Sequence, residues 1–166
     1  MGNRLFRRHH LAVCLRAAGR GAEALSELHK VLQLDENLWA TYFLLGIVNG
    51  SVGNFDEAAA CAEKAYSLAP WMTVNVGSLA AFLKRTGDQS RSEELLQKLL
   101  QSDAYAAPLG LAHYYYHCGE IDTAIQWTER AIEQRHPAVL FFLNVHVQLL
   151  RSSPRLAKLL NLPQAA

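Results

Sequence analysis

The sequence predicts an all-α chain of stacked helix pairs, and three observations carry that expectation. Gly19, Gly53 and Gly87 are spaced by 34 residues, and Gly119 follows after 32. Each glycine lies between two apolar-periodic segments, where a helix–helix turn needs a residue tolerant of positive φ. A helix start follows each one: Gly-Arg-Gly-Ala-Glu-Ala, Gly-Asn-Phe-Asp-Glu-Ala, Gly-Asp-Gln-Ser-Arg-Ser-Glu-Glu-Leu and Gly-Glu-Ile-Asp-Thr-Ala. The acidic and capping residues there complement the unpaired amides and positive dipole end of a second helix.

Composition agrees with a packed helical array. The 166 residues fit one domain or a short repeat series. With 51% hydrophobic and 19% charged residues, there is ample material for a core. The net charge of +1 gives no long-range reason to expect nucleic acid or an anionic membrane as partner. Cys14, Cys61 and Cys118 form no CxxC pair, which argues against a zinc knuckle or disulfide framework and for reduced thiols in a cytoplasmic protein. The start, MGNRLFRRHH, lacks the apolar segment of a signal peptide, and Phe6 stands where a myristoylation signal wants Ser or Thr. The most apolar run, Ala138–Leu150, carries Asn144, His146 and Gln148 and falls short of the roughly 20 residues of a membrane span.

The clearest unit runs from Trp39 to Met72. Counting Trp39 as position 1, it places Tyr42 at 4, Leu45 at 7, Gly46 at 8, Gly53 at 15, Ala58 at 20, Ala65 at 27 and Pro70 at 32. In these positions the chain resembles the tetratricopeptide repeat (TPR) family, a 34-residue helix–turn–helix unit. It departs from the family pattern at Asn49, where position 11 is usually Tyr, and at Ala62, where position 24 is usually aromatic.

The same register gives the other units. Unit 1 starts at Leu5, with Leu11, Ala12, Gly19 and Ala24. Unit 3 starts at Thr73, with Leu79, Ala80, Gly87 and Leu96; Ser92 replaces the small Ala and Ala104 the Pro. Unit 4 starts near Tyr105, with Leu111, Ala112, Tyr115, Gly119, Ala124 and Ala131. The resemblance implies a right-handed α-solenoid of about four helix pairs over residues 4–137, in units of about 5–38, 39–72, 73–104 and 105–137. Gly46, Ala80 and Ala112 on first helices, with Ala58 and Ala124 on second helices, let paired axes approach. A bulky side chain there costs roughly 1–3 kcal/mol by overpacking.

Residues 138–163 read as one or two capping helices that cover the last repeat. Pro137 stops the eighth helix and Ala138–Leu150 forms a ninth. Ser153 is then an N-cap and Pro154 a first helical residue, with Leu156, Leu159 and Leu160 as the buried stripe. Leu-Arg-Ser-Ser-Pro-Arg and Asn161-Leu162-Pro163 resemble the end of bacterial TPR regions attached to cyclase, kinase or winged-helix regulator domains. The first helix starts without a preceding cap, which points to a longer protein or to self-association through that helix.

At about 100° per residue, positions 4, 7, 8 and 11 face the second helix, while 2, 5, 9, 12 and 13 face the opposite way. The resemblance implies that this second set lines a concave groove. The peptide-binding residues expected there are Phe6, His9, Val13, Phe43, Ile47, Lys84, Arg85, His113, Tyr116 and His117. Such a groove suits a peptide with apolar anchors and an acidic group. The alternative reading has Val13, Phe43 and Ile47 filling contacts between neighbouring first helices. The family's carboxylate clamp is absent, since His9, Val13 and Ile47 stand where it needs Lys and Asn.

His113 and His117 have the i, i+4 spacing of metal ligands. No Glu lies between them as a zincin requires, and Cys118 points about 100° away from His117. They read as groove histidines, and no metal or cofactor is expected. No nucleophile–base pair, phosphate-cradling glycine loop or catalytic carboxylate pair is present in the sequence, so no enzymatic activity is expected. The sequence therefore points to a bacterial, cytoplasmic scaffold for a protein or peptide ligand. A structural or dimerisation spacer is the second reading and a small metal-binding protein centred on His113/His117 the third.

Overall fold

The structure is a computed structural model that describes residues 2–146 and 153–159. Among these, every regular element is a helix: α1 (Gly2–Ala17), α2 (Gly21–Leu32), α3 (Trp39–Ser51), α4 (Phe55–Leu68), α5 (Thr73–Thr86), α6 (Gln89–Leu100), α7 (Ala107–His117), α8 (Ile121–Glu133), α9 (Val139–Val145) and α10 (Pro154–Leu159). The helices pack as the sequential pairs α1/α2, α3/α4, α5/α6 and α7/α8, each pair stacking on the next.

The four repeat glycines make the turns within pairs. Gly19, Gly53, Gly87 and Gly119 have φ of +76°, +85°, +98° and +82°. This left-handed conformation folds the chain back so that the next amides reach the last helical carbonyls. After α1, Gly19 N–H donates to Arg16 O and Arg20 N–H to Leu15 O; after α3, Asn54 N–H donates to Asn49 O. Asp88 then caps α6, its carboxylate accepting from the Arg91 amide at 3.2 Å.

The polar departures from the repeat pattern, Ser92 and Asn49, are satisfied locally. Ser92 is fully buried, and its hydroxyl donates to Ala80 O at 2.7 Å, so the extra polar atom is satisfied across the helix pair. Buried Asn49 donates to Leu45 O at 3.0 Å within its own helix. Asn75, also fully buried, donates to Ala65 O and Ala69 O, closing the C-terminal carbonyls of α4 against α5.

The close approach of first helices is sharpest between α5 and α7. A Cβ on Gly77 would lie 1.9 Å from Gly110 O, and one on Gly110 would lie 2.5 Å from Thr73 O. Thr73 Oγ1 also donates to Ala106 O at 2.7 Å, pinning the two helix starts together. Two glycines thus bring these axes nearly backbone to backbone and tighten the curl of the array.

Three apolar clusters run through the molecule in sequence. The first joins α1–α4, the second α4–α8, and the third joins α7, α8, α9 and Leu156 of α10. The tail departs from the expected pure cap. Helix α10 does cover α8: Leu156 is fully buried, its amide donates to Ser153 Oγ at 3.3 Å, and Arg155 approaches the buried Glu129 carboxylate at 2.9 Å. Helix α9 packs on the last repeat through Val139, Phe142 and Leu143 and also reaches α1, with Val145 inside the first cluster. Helix α8 stops at Glu133, four residues before Pro137, through a turn with Arg135 at φ +55°. The expected continuation of the ninth helix to Leu150, and the segments Leu150-Arg151-Ser152 and Asn161-Leu162-Pro163, lie outside the described residues.

Candidate functional site

The first helices α1, α3, α5 and α7 present one face each towards a common bore. On α5 this face carries Val74, Gly77 and Ala81, and side chains of α3 and α7 meet beside it. The Phe43 and His113 rings lie 5.2 Å apart, edge to face, although 70 residues separate them. Helix α9 fills the remaining space, with Phe142 4.8 Å from His113 and His146 4.1 Å from Tyr116.

This filling decides the fate of the residues expected in an open groove. Val13, Phe43, Ile47 and His113 are buried, between 1% and 5% exposed. The physical reason is twofold: the tight α5–α7 crossing narrows the bore, and the apolar α9 gains more by burial there than on an outer face. Val13, Phe43 and Ile47 share the first apolar cluster with Val145 of α9, and His113 lies against Phe142 and His146. Phe6 is exposed at the rim and packs on His10 at 4.1 Å. His9 is half-buried and its Nε2 shares a 2.9 Å hydrogen bond with Thr41 Oγ1. Lys84 contacts the Glu120 carboxylate at 3.5 Å and lies over the Tyr114 ring, while Arg85 stacks on Phe55 with 4.2 Å to the ring centre. Tyr116 and His117 are partly exposed to a cavity at the same end.

Two openings survive at the ends of the plugged bore. At the N-terminal ends of the first helices is an apolar mouth of about 330 Å³, whose walls include Trp39, Phe43, Leu109 and Phe142. Phe6, Trp71 and Phe141 stand at its rim, 61%, 73% and 42% exposed. At the C-terminal ends is a cavity of about 520 Å³ lined in part by Arg16, Arg85, Tyr116 and His117. Burial lowers the Arg16 pKa, while the neighbouring Tyr116 hydroxyl works to raise it.

Between the openings lie three imidazoles. His113 and His117 project from successive turns of α7, and His146 closes the end of α9. His146 Nε2 and His113 Nδ1 are 3.1 Å apart, so one of them carries the proton of a shared hydrogen bond. Burial holds the pKa of His113 and His146 well below the ordinary value of 6.5. Burial, with Arg16 and Arg85 adding repulsion, pushes His117 down to about 3.

Sequence reading pairs His113 with His117 and misses His146, Trp39, Trp71 and Phe141 as site residues. A polar His inside an apolar helical run was the signal for His146. A Trp just after the Pro70 that ends unit 2 was the signal for Trp71.

Comparison with known proteins agrees with this architecture. The family profile for the tetratricopeptide repeat matches residues 40–70. No curated protein sequence matches the chain. Among solved structures, a double mutant of MamA RS-1 superposes with a TM-score of 0.57 at 16% identity, covering 92% of this chain and 97% of that one. The nearly identical TPR-like repeats of a protein assigned as a kinesin light chain from Podosopora anserina superpose at 0.52 and 20% identity, covering 95% and 92%. The chain thus carries a tetratricopeptide repeat at residues 40–70, set within a helix-pair solenoid that has the fold of TPR structures.

Proposed function

We propose that this chain is a non-catalytic protein–protein interaction scaffold, and that its apolar mouth takes an apolar side chain of a partner polypeptide. One observation carries the reading. Phe6, Trp71 and Phe141 remain exposed around a concave opening whose floor, Phe43 and Phe142, is buried. Exposed aromatic residues ringing a preformed pocket are the arrangement in which a few buried anchors dominate affinity. With α9 in place, a peptide cannot thread the whole bore. The mouth and the basic cavity are therefore separate sites, and an acidic group of the partner would pair with Arg16 and Arg85 only from the other end. The likeness of the tail segment to bacterial regulator proteins supports placing the scaffold in a bacterial, cytoplasmic signalling system. Among the described residues, no helix is long and apolar enough to cross a membrane.

The test is a peptide-display selection on the wild-type chain, followed by affinity measurement on a Phe6→Ala/Trp71→Ala variant. Each anchor is worth at least about 1–2 kcal/mol, so selected peptides bind the variant roughly tenfold or more weakly. Peptides that bind both forms equally overturn the assignment of the mouth. Light scattering separates the spacer reading, because a stable dimer dispersed by the same substitutions makes the mouth a self-association surface.

A further inference from the structure

We propose that His113, His117 and His146 form a binding site for one divalent transition-metal ion of the zinc class, which fastens α9 to α7 inside the bore.

Each histidine offers one ring nitrogen, and these atoms all lie within 4.8 Å of one another. With metal–nitrogen bonds of about 2.0–2.1 Å, the ligands of a tetrahedral ion sit roughly 3.3 Å apart. The His113–His146 pair already stands at 3.1 Å. The third nitrogen, within 4.8 Å of the others, has at most about 1.5 Å to close to reach that spacing. His113 and His117 come from adjacent turns of one rigid helix, a spacing that presents two ligands to the same point.

The second observation is independent of distance. His117 Nε2 and His146 Nδ1 are buried and have no hydrogen-bond partner. A buried polar atom left unpaired carries a desolvation cost that native structures rarely tolerate without a role. An ion held by His117 Nε2 would relieve that atom, while His146, ligating through Nε2, would carry its proton on Nδ1.

The surrounding groups define which ion and what completes its shell. Arg16 of α1 and Arg85 of α5 are the charged groups that act on the cluster, while α3, α9 and the rest of α7 supply Phe43, Phe142 and Tyr116. With three imidazoles and no carboxylate, the site favours zinc, cobalt, nickel or copper over magnesium or calcium. Both arginines repel a cation, so the fourth ligand is a hydroxide or small anion. It would be drawn from the cavity that His117 shares with those same arginines.

The experiment uses the full chain stripped with a chelator and titrated with Co²⁺ and Zn²⁺. One equivalent of Co²⁺ should bind and give the intense visible bands of a four- or five-coordinate nitrogen site. His117→Gln and His146→Gln, with helical circular dichroism retained, should each weaken binding about 100-fold or more, beyond the 10–100-fold typical of losing a mere supporting partner. His29→Ala, an exposed histidine on α2, should leave it unchanged. X-ray absorption on the wild-type Zn²⁺ form counts the imidazoles directly and does not depend on the variants folding. Three imidazoles support the site. Absence of stoichiometric binding, fewer than three imidazoles, or binding that survives both substitutions in folded protein overturns it.

Discussion

Gly77 and Gly110 meet backbone to backbone, so closely that a Cβ on Gly77 would fall 1.9 Å from the Gly110 carbonyl oxygen. This contact sets the curvature of the array. By drawing α5 onto α7 it lets Phe43 reach His113 and leaves a bore narrow enough for one short helix to fill. Gly77→Ala should therefore do more than overpack locally. The helix-propensity gain of Ala over Gly, about 0.5–1 kcal/mol, is outweighed because backbone must shift. A net loss of about 3 kcal/mol, at the upper end for overpacking, is expected in urea denaturation. Gly53→Ala, in open space but at φ +85°, should lose only about 1–2 kcal/mol from its left-handed backbone.

Arg135 takes, after α8, the left-handed turn position that glycine takes after α1, α3, α5 and α7. Its φ is +55°, its amide donates to Ile132 O, and the His136 amide donates to Ala131 O. Those are the bonds of the Gly19 turn made by a residue that pays for the conformation. Arg135→Gly should stabilise the chain by about 0.5–1 kcal/mol, read as a higher urea midpoint with unchanged slope.

The histidine cluster makes stability acid-sensitive. Where the folded pKa lies below the unfolded value, the unfolded chain takes up protons first. The contribution is complete above about pH 6.5 and is lost as pH falls, for His117 down towards about 3. Each histidine adds up to about 1.4 kcal/mol per pH unit in that window. Urea midpoints measured with chelator should be flat from pH 8 to about 7 and fall steeply below 6. His117→Gln should flatten the acid limb; an unchanged limb would contradict the burial of that ring.

The thiols should separate by reactivity. Cys14 is exposed, whereas Cys61 is half-buried and its pKa is raised to about 11 by burial and by the Glu57 charge. Since the thiolate is the reactive form, alkylation near pH 8 should label Cys14 first and Cys61 much more slowly. Mass spectrometry of a time course checks the order.

Much of the fold was legible because it is written locally. The glycine period announces four left-handed turns, Asp88 announces a cap, and Ser153-Pro154 announces the start of α10. The apolar run at 138–146 announces a helix but not its destination. Angular bookkeeping on one helix shows which residues leave its own pair; it cannot show what arrives from the other end of the chain. Val13, Phe43, Ile47 and His113 leave their pairs as expected and then meet α9. The α5–α7 crossing was equally hidden, since Gly77 and Gly110 each read as a permissive helix position until the two are brought together. Arg135 was illegible for a different reason: tertiary packing imposes a left-handed residue that propensity disfavours.

Helix α9 lies inside the bore, between α7 and α1. Nuclear Overhauser contacts among aromatic rings test this most directly. The structure predicts cross-peaks from Phe142 to His113 and from His146 to Tyr116, whose ring centres are 4.8 and 4.1 Å apart. Absence of both, with random-coil shifts over residues 139–146, would contradict it.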